Sequence, residues 1–287
     1  METLQNISQS NINSFESLIN SCFDVQKIQL TTDFSDFDNP SAYGIYKSSG
    51  GSCLGVVGKN YVPVQPKIMA NSLLDINIDY SKVKFVTMKK DSKFRFDIPL
   101  TEKISFTNKF GKEDTTDLKI CLQSGFDGKT KTSLFVYSNR LICENGAKAN
   151  FTEYEINFKN VQGNQGKLIS LAHGFYKVKE SVKSLEQFYL SMDKVTFDNS
   201  ILENYLSSVL NLDKENLTTR SRKIYSDVME SFDLEIDRTG NTLFGLYNGL
   251  THFINHKAIG SNNKDFTFTE NGALTIRKAE KFLMSLV

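Results

Sequence analysis

His252 and His256 stand four residues apart in a stretch whose apolar residues Leu243, Leu246, Tyr247, Leu250 and Phe253 recur at helical spacing. Two imidazoles on one helix face have the geometry of a metal pair. A zinc protease would place Glu directly after the first histidine, and Phe253 stands there instead. No cysteine or carboxylate run completes a ligand set, so ordinary helix-face histidines and no metal are expected. His173 is isolated, and no G-x-S-x-G elbow frames a Ser–His–Asp set. The glycine-rich pieces SSGGSCLG and QGNQGK lack the phosphate-cradling G-x-x-x-x-G-K-[ST], and LGVVG lacks G-x-G-x-x-G spacing. Asp33, Asp36 and Asp38 share a turn-rich loop, but Pro40 and the missing glycine and terminal Glu exclude an EF-hand. The residues point to no bond-making chemistry and no cofactor.

Residues 82–112 carry a different kind of signal. Lys82, Lys84, Lys89, Lys90, Lys93, Arg95, Lys103, Lys109 and Lys112 outnumber Asp91, Asp97 and Glu102, and Phe94, Phe96 and Phe106 alternate among them. On a strand Lys82 and Lys84 face one side while Val83 and Phe85 face the other. A basic hairpin with interleaved aromatics could track a phosphate backbone and stack bases, as single-strand binders do. The same lysines could instead be a solvated sheet face that guards an edge strand against aggregation. Arg140 is one of six arginines against 28 lysines and lies in an apolar run beside Cys143. Its planar fork suits a phosphate, or a structural ion pair with Glu144. A net charge of +1 offers no global field for a polyanion, so any such site must be a local patch.

The elements that must position these residues are legible in outline. Residues 4–22 read as an amphipathic helix, DVQKIQL as a short strand, and GIYKS–SGG–SCLGVVG as a hairpin that reverses at Gly50 and Gly51. Pro66 suits the first turn of a short helix over 66–77. From 82 to 158 the period becomes two: KVKFVTMK, KFRFDIPL, KISFT, TDLKICLQ, TSLFVYSN and FTEYEINF alternate between turn residues, predicting an antiparallel meander. After VQGNQGK (161–167) the pattern turns helical, through SLEQFYLSM, ILENYLSSVL, SRKIYSDVMESF, 241–256 and a closing helix at about 271–286. The expected class is α+β, with a β-rich part over 1–160 and a helical part over 161–287 packed on the same core. Dispersed Cys22, Cys53, Cys121 and Cys143, a start without a basic or apolar leader, and no apolar run of membrane length predict a protein of the reducing cytosol that meets no membrane.

Three blocks in order, LGVVGKNYVPVQ (54–65), SGFDGKT (124–130) with SNRLICENG (138–146), and NTLFGLYNGLTHFINH (241–256), resemble the signatures of the domain-of-unknown-function 932 family, carried mainly by phages, prophages and plasmids. The first is similar to its G-x-V-G-x-x-Y-x-P-V-Q through Gly55, Val57, Gly58, Tyr61, Pro63, Val64 and Gln65. The second matches an S-x-D-G turn and an R-x-x-C-x-N strand through Ser124, Asp127, Gly128, Arg140, Cys143 and Asn145. The third matches an N-T-x-x-x-x-x-N helix through Asn241, Thr242 and Asn248, and RKAEKFLMSL resembles the family's basic–apolar final helix. Phe126 and Phe244 depart from the family's usual residues. The resemblance implies a phage or plasmid setting, and its outline is similar to the phage single-strand annealing proteins, an analogy of fold and neighbourhood. The expected function is single-stranded DNA binding, extending to strand annealing as a homo-oligomer. Lys82, Lys84, Lys89, Lys90, Lys93 and Arg95 would contact the backbone, Tyr61 would stack on a base and Arg140 would hold a phosphate. The alternative is a non-enzymatic protein-interaction module or minor structural phage protein; a weaker third option is an enzyme built on Asp127, Arg140 and His252.

Overall fold

The computed structural model describes residues 9–31, 41–74, 76–107, 111, 113–140, 145–148, 155–168, 171–258 and 270–287. The fold is α+β, with two antiparallel sheets and a helical C-terminal part. The chain divides into two compact units. The first comprises 1–99, 119–135 and 155–179, and the second 100–118, 136–154 and 180–287. VQGNQGK therefore lies inside the first unit.

In the first unit, helix α1 (Gln9–Ser21) buries Phe15 and Leu18, with Cys22 just beyond its end, and keeps a polar face outward. Strands β1 (Val25–Gln29), β2 (Ala42–Lys47) and β3 (Gly55–Gly58) form an antiparallel sheet in that order. Gly50 and Gly51, at φ +95° and +115°, supply the expected reversal. Helix α2 (Pro66–Asn71) opens on Pro66, whose missing N–H costs nothing in a first turn. Strand β4 (Lys84–Met88) pairs with the start of β5 (Lys93–Thr107), Phe85 opposite Phe96 and Val86 opposite Arg95. The order continues to the end of β6 (Glu113–Gly125), the start of β7 (Thr132–Arg140) and then β9 (Glu155–Phe158), so β4 is an edge strand. Phe94 stacks on Phe126 at 5.3 Å, and Phe23, Phe85 and Phe96 complete an aromatic cluster. Fully burying such a ring, as at Phe94, Phe96 and Phe126, contributes roughly 1.5–3 kcal/mol. Helix α3 (Leu171–Glu180), which sequence periodicity missed, approaches the sheet through Gly174 against Ile156 and Leu134.

The chain passes between units within β5, β6 and β7. KFRFDIPL and KISFT, expected as separate strands, form one strand through Pro99. In the second unit, the far ends of these strands accompany β8 (Asn145–Lys148) and five helices: α4 (Val182–Lys194), α5 (Asn199–Leu210), α6 (Thr219–Thr239), α7 (Leu243–His252) and α8 (Glu270–Met284). Asp198, Thr218 and Thr242 cap α5, α6 and α7 by accepting from the N–H three residues on. Tyr189, Tyr205, Phe232, Phe244 and Leu283 fill the core. None of the described helices is long and apolar enough to cross a membrane.

Candidate nucleic-acid interface

The first family-like block and the SGFDGKT turn meet in the first unit as a mortise of backbone and polar side chains. A Cβ on Gly55 would collide with the Phe126 carbonyl oxygen and come within 2.9 Å of Asp127 Cα, so only glycine lets β3 approach the β6–β7 turn. The Tyr61 hydroxyl donates to the Gly125 carbonyl. Asn160 Nδ2 lies 3.1–3.3 Å from Tyr61 Oη, Ser124 Oγ, Gly125 O and Thr130 O, and Thr132 Oγ1 donates to Asn160 Oδ1 at 2.6 Å. The Gln65 amide pairs with both the N–H and the C=O of Val25, at 2.9 and 2.7 Å, standing in for a neighbouring strand. Asp127 Oδ1 accepts from the Lys129 and Thr130 N–H groups at 3.0 and 2.7 Å. Burial opposes its ionisation, but the Thr130 N–H, the Lys93 charge and the Lys129 N–H hold its carboxyl below the ordinary range.

This arrangement corrects three sequence-based assignments. Tyr61 is buried rather than presented to a base, and burial pushes its hydroxyl up to about 12. Lys93 is 9% exposed and pairs with Asp127 at 3.3 Å. Arg95 is 8% exposed; its Nε and Nη2 donate to Asp97 at 2.6 and 3.3 Å. Lys93, Arg95 and Asp97 lie on one face of β5 and Phe94 and Phe96 on the other, and both sets are buried, which alternation alone does not reveal.

Asp97 also accepts from Lys119 Nζ at 2.6 Å and from the Cys121 thiol at 3.3 Å. Burial disfavours its charge, yet Arg95 and Lys119 outweigh that and hold it below the ordinary carboxylate range. A carboxyl whose folded pKa is depressed contributes stability above its unfolded pKa of about 3.9, lost as pH falls through the folded value. The stability gap between wild type and Asp97→Asn should therefore be widest near neutrality and narrow below about pH 4, as read by urea denaturation across pH. A gap independent of pH would remove the ion pairs as its cause.

The remaining lysines stay at the surface. Lys82 is exposed and ion-pairs with Asp79 at 3.1 Å. Lys84, Lys89 and Lys90 are exposed, with no acidic partner among the described residues. Lys84 lies on β4 and lines a groove of about 510 Å³ against α1, with Ser14, Ser17, Ser21, Phe85 and Val86. Asn11 anchors α1 beside it, donating to Ile78 O and accepting from Tyr80 N–H. Lys89, Lys90 and Asp91 form the β4–β5 turn with φ of +49°, +54° and +65°. Three successive non-glycine residues in the left-handed region store strain of the kind found at functional sites. The turn is fixed by Asp91 to Lys47 Nζ at 2.6 Å and by Ser92 Oγ donating to Lys89 O at 2.9 Å. The Arg140 side chain, Cys143, the His173 side chain and the Asp33–Asp36–Asp38 loop lie outside the described residues.

In the second unit the imidazoles of His252 and His256 stand 4.7 Å apart. His252 Nδ1 is buried without a hydrogen-bond partner, and burial, with His256 beside it, holds its pKa down. No three His, Cys, Asp or Glu side chains converge as a metal set among the described residues. The third block is structural as well: Asn241 Nδ2 donates to Phe197 O at 2.8 Å, Asn248 Nδ2 to Phe244 O at 2.8 Å, and Thr242 caps α7. Phe126 and Phe244, the two departures, are both buried in aromatic clusters.

Sequence reasoning missed Asn160, Lys119 and the α1–β4 groove. Asn160 falls outside every block, and the groove depends on a pairing between segments some 70 residues apart that no local pattern encodes. Among known proteins, no curated protein and no solved structure matches the chain. The family described as domain of unknown function (DUF932) matches residues 53–281, which contain all three blocks. The chain belongs to the DUF932 family.

Proposed function

We propose that the first unit binds single-stranded DNA along the β4 edge and the β4–β5 turn, without bond-making chemistry. Charge segregation carries this reading. The first unit has 17 Lys and Arg against 12 Asp and Glu, a net +5, while the second has 17 against 21, a net −4. Near-neutrality of the whole thus hides a basic half, and a local field of this sign gathers polyanions. Lys82 and Lys84 beside the groove, and Lys89 and Lys90 on the strained turn, are the backbone contacts; Lys93, Arg95 and Tyr61 support them from within. Annealing of complementary strands, as the similarity to phage annealing proteins implies, would add self-association to this binding.

Substituting Lys89 and Lys90 with glycine tests the reading, because it separates binding from folding. Glycine tolerates positive φ, so the double variant should be more stable than wild type by about 1 kcal/mol. It should nevertheless bind a fluorescent oligo(dT) several-fold more weakly at low salt, with a log K against log[salt] slope shallower by up to about 1.4. Size-exclusion runs of the same mixtures read assembly. Absence of wild-type binding at low salt, or equal binding by the stabilised variant, would overturn the assignment.

A further inference from the structure

Two turns and a strand end share one rim of the first-unit sheet. β4 closes and β5 opens at residues 89–92, β6 closes and β7 opens at 126–131, and β9 ends at Phe158 opposite Thr132. Phe126 N–H donates to Ser92 O at 2.7 Å, Lys93 pairs with Asp127 at 3.3 Å, and Asn160 Nδ2 donates to Thr130 O at 3.3 Å, so the segments are tied side by side. In the order β4, β5, β6, β7, β9, ordinary strand spacing makes this rim about 19 Å long.

What the rim presents outward is positive. Lys89, Lys90, Lys129, Lys131 and Lys159 are all exposed, and none pairs with a carboxylate among the described residues. The acids of the two turns are consumed internally, Asp91 by Lys47 and Asp127 by Lys93 and Thr130. Lys131 and Lys159 stand opposite each other, because the register that pairs Thr132 with Phe158 runs one step further to reach the Thr130–Asn160 contact. Lys131 Nζ lies 3.5 Å from Asn157 Oδ1, on the face that Lys159 shares at two residues' remove. Like charges facing each other across a ladder destabilise a sheet. An anion held between them removes that repulsion, and phosphate is the anion that recurs at intervals along a chain. Residues 89–92 and 127–131 contain no apolar side chain to enter a bilayer.

We infer that the bound single strand continues from the β4–β5 turn across this rim to β9, with Lys129, Lys131 and Lys159 as further phosphate contacts. This rests on the single-strand reading above and extends its site from one edge of the sheet to a path across the strand ends.

The triple variant Lys129→Gln, Lys131→Gln, Lys159→Gln tests the path against a control of equal charge change, Lys183→Gln, Lys223→Gln, Lys278→Gln, whose lysines are exposed in the second unit. The rim variant should bind a fluorescent oligo(dT) at least about ten-fold more weakly at low salt, with a log K against log[salt] slope shallower by up to about 2.1. The control should bind within two-fold of wild type. Equal binding by the two variants would overturn the path, and the turn lysines would stand if Lys89→Gly, Lys90→Gly still binds weakly. Wild-type affinity for poly-glutamate equal to that for oligo(dT) would overturn nucleic acid as the occupant. Failure of the wild type to bind any oligonucleotide would overturn both readings. If the rim variant does not fold, formaldehyde cross-linking of wild type to oligo(dT) decides: adducts on Lys129, Lys131 or Lys159 are expected, and adducts confined to other lysines would overturn the path.

Discussion

Replacing Asn160 with leucine should destabilise the protein by about 2–4 kcal/mol, among the largest effects of any single polar substitution in the first unit. The side chain is 5% exposed and serves five groups from four segments: Tyr61, Ser124 with Gly125, Thr130, and Thr132. Leucine has a similar volume, so packing is nearly conserved and the loss is one of hydrogen bonding. Ser124 and Thr132 can still satisfy each other at 2.9 Å, and Tyr61 keeps Gly125 O. Thr130 O, part-buried, loses this partner, and a desolvated group left unpaired accounts for most of the cost. Asn160→Asp adds a signed test. At pH 7 its carboxylate would face the carbonyls of Gly125 and Thr130, which repel it. Protonation restores a donor, so this variant should recover stability as pH falls, opposite to the acid sensitivity expected from Asp97. Urea titrations at pH 7 and pH 5 would show it; equal losses at both would mean that the asparagine fills space only.

Gly249→Ala should destabilise the second unit by about 2–3 kcal/mol, although alanine is intrinsically the better helix former by about 1 kcal/mol. The new Cβ would lie 2.8 Å from Phe232 Cα and closer still to its ring. A ring can turn, but a backbone Cα on α6 moves only with its helix, and Phe232 is wholly buried. Steric displacement of the α6–α7 contact therefore outweighs propensity. Thermal unfolding followed by helix dichroism should show a melting point lower by several degrees. A rise of a degree or two would show instead that propensity wins and that the helices have slack.

How far the sequence reveals this molecule depends on the range of the interaction. The β2–β3 reversal at Gly50 and Gly51, the α2 start at Pro66 and the helices α4 to α8 follow from patterns within a dozen residues, and these were legible. So were the resemblance blocks, of which Gly55 and the Gln65 amide help to hold the mortise together. Burial was not. Lys93, Arg95 and Tyr61 carry the residue types of a binding ribbon, but their partners Asp127, Asp97 and Gly125 lie 34, 2 and 64 residues away. Only the Arg95–Asp97 partnership was within local reach, and two residues apart on a strand could equally mean two charges in water. The face that Tyr46 shares with Ile28 and Val56 was hidden for a related reason: these residues meet only through the register of three strands, which a single strand's alternation does not fix.

The discontinuity of the two units has a consequence for how the chain matures. Because the path moves from one to the other inside β5, β6 and β7, the first unit cannot close until residue 179 has been synthesised, by which time two stretches belonging to its counterpart are already present. Those stretches include Ile104, Leu118 and Val136, apolar residues buried in the finished fold. Nascent polypeptide emerging from the ribosome thus carries half-finished strands with unpaired edges, the condition under which chains associate wrongly. Such a molecule is suited to assembling late and all at once, with both halves born together rather than one serving as a template for the other.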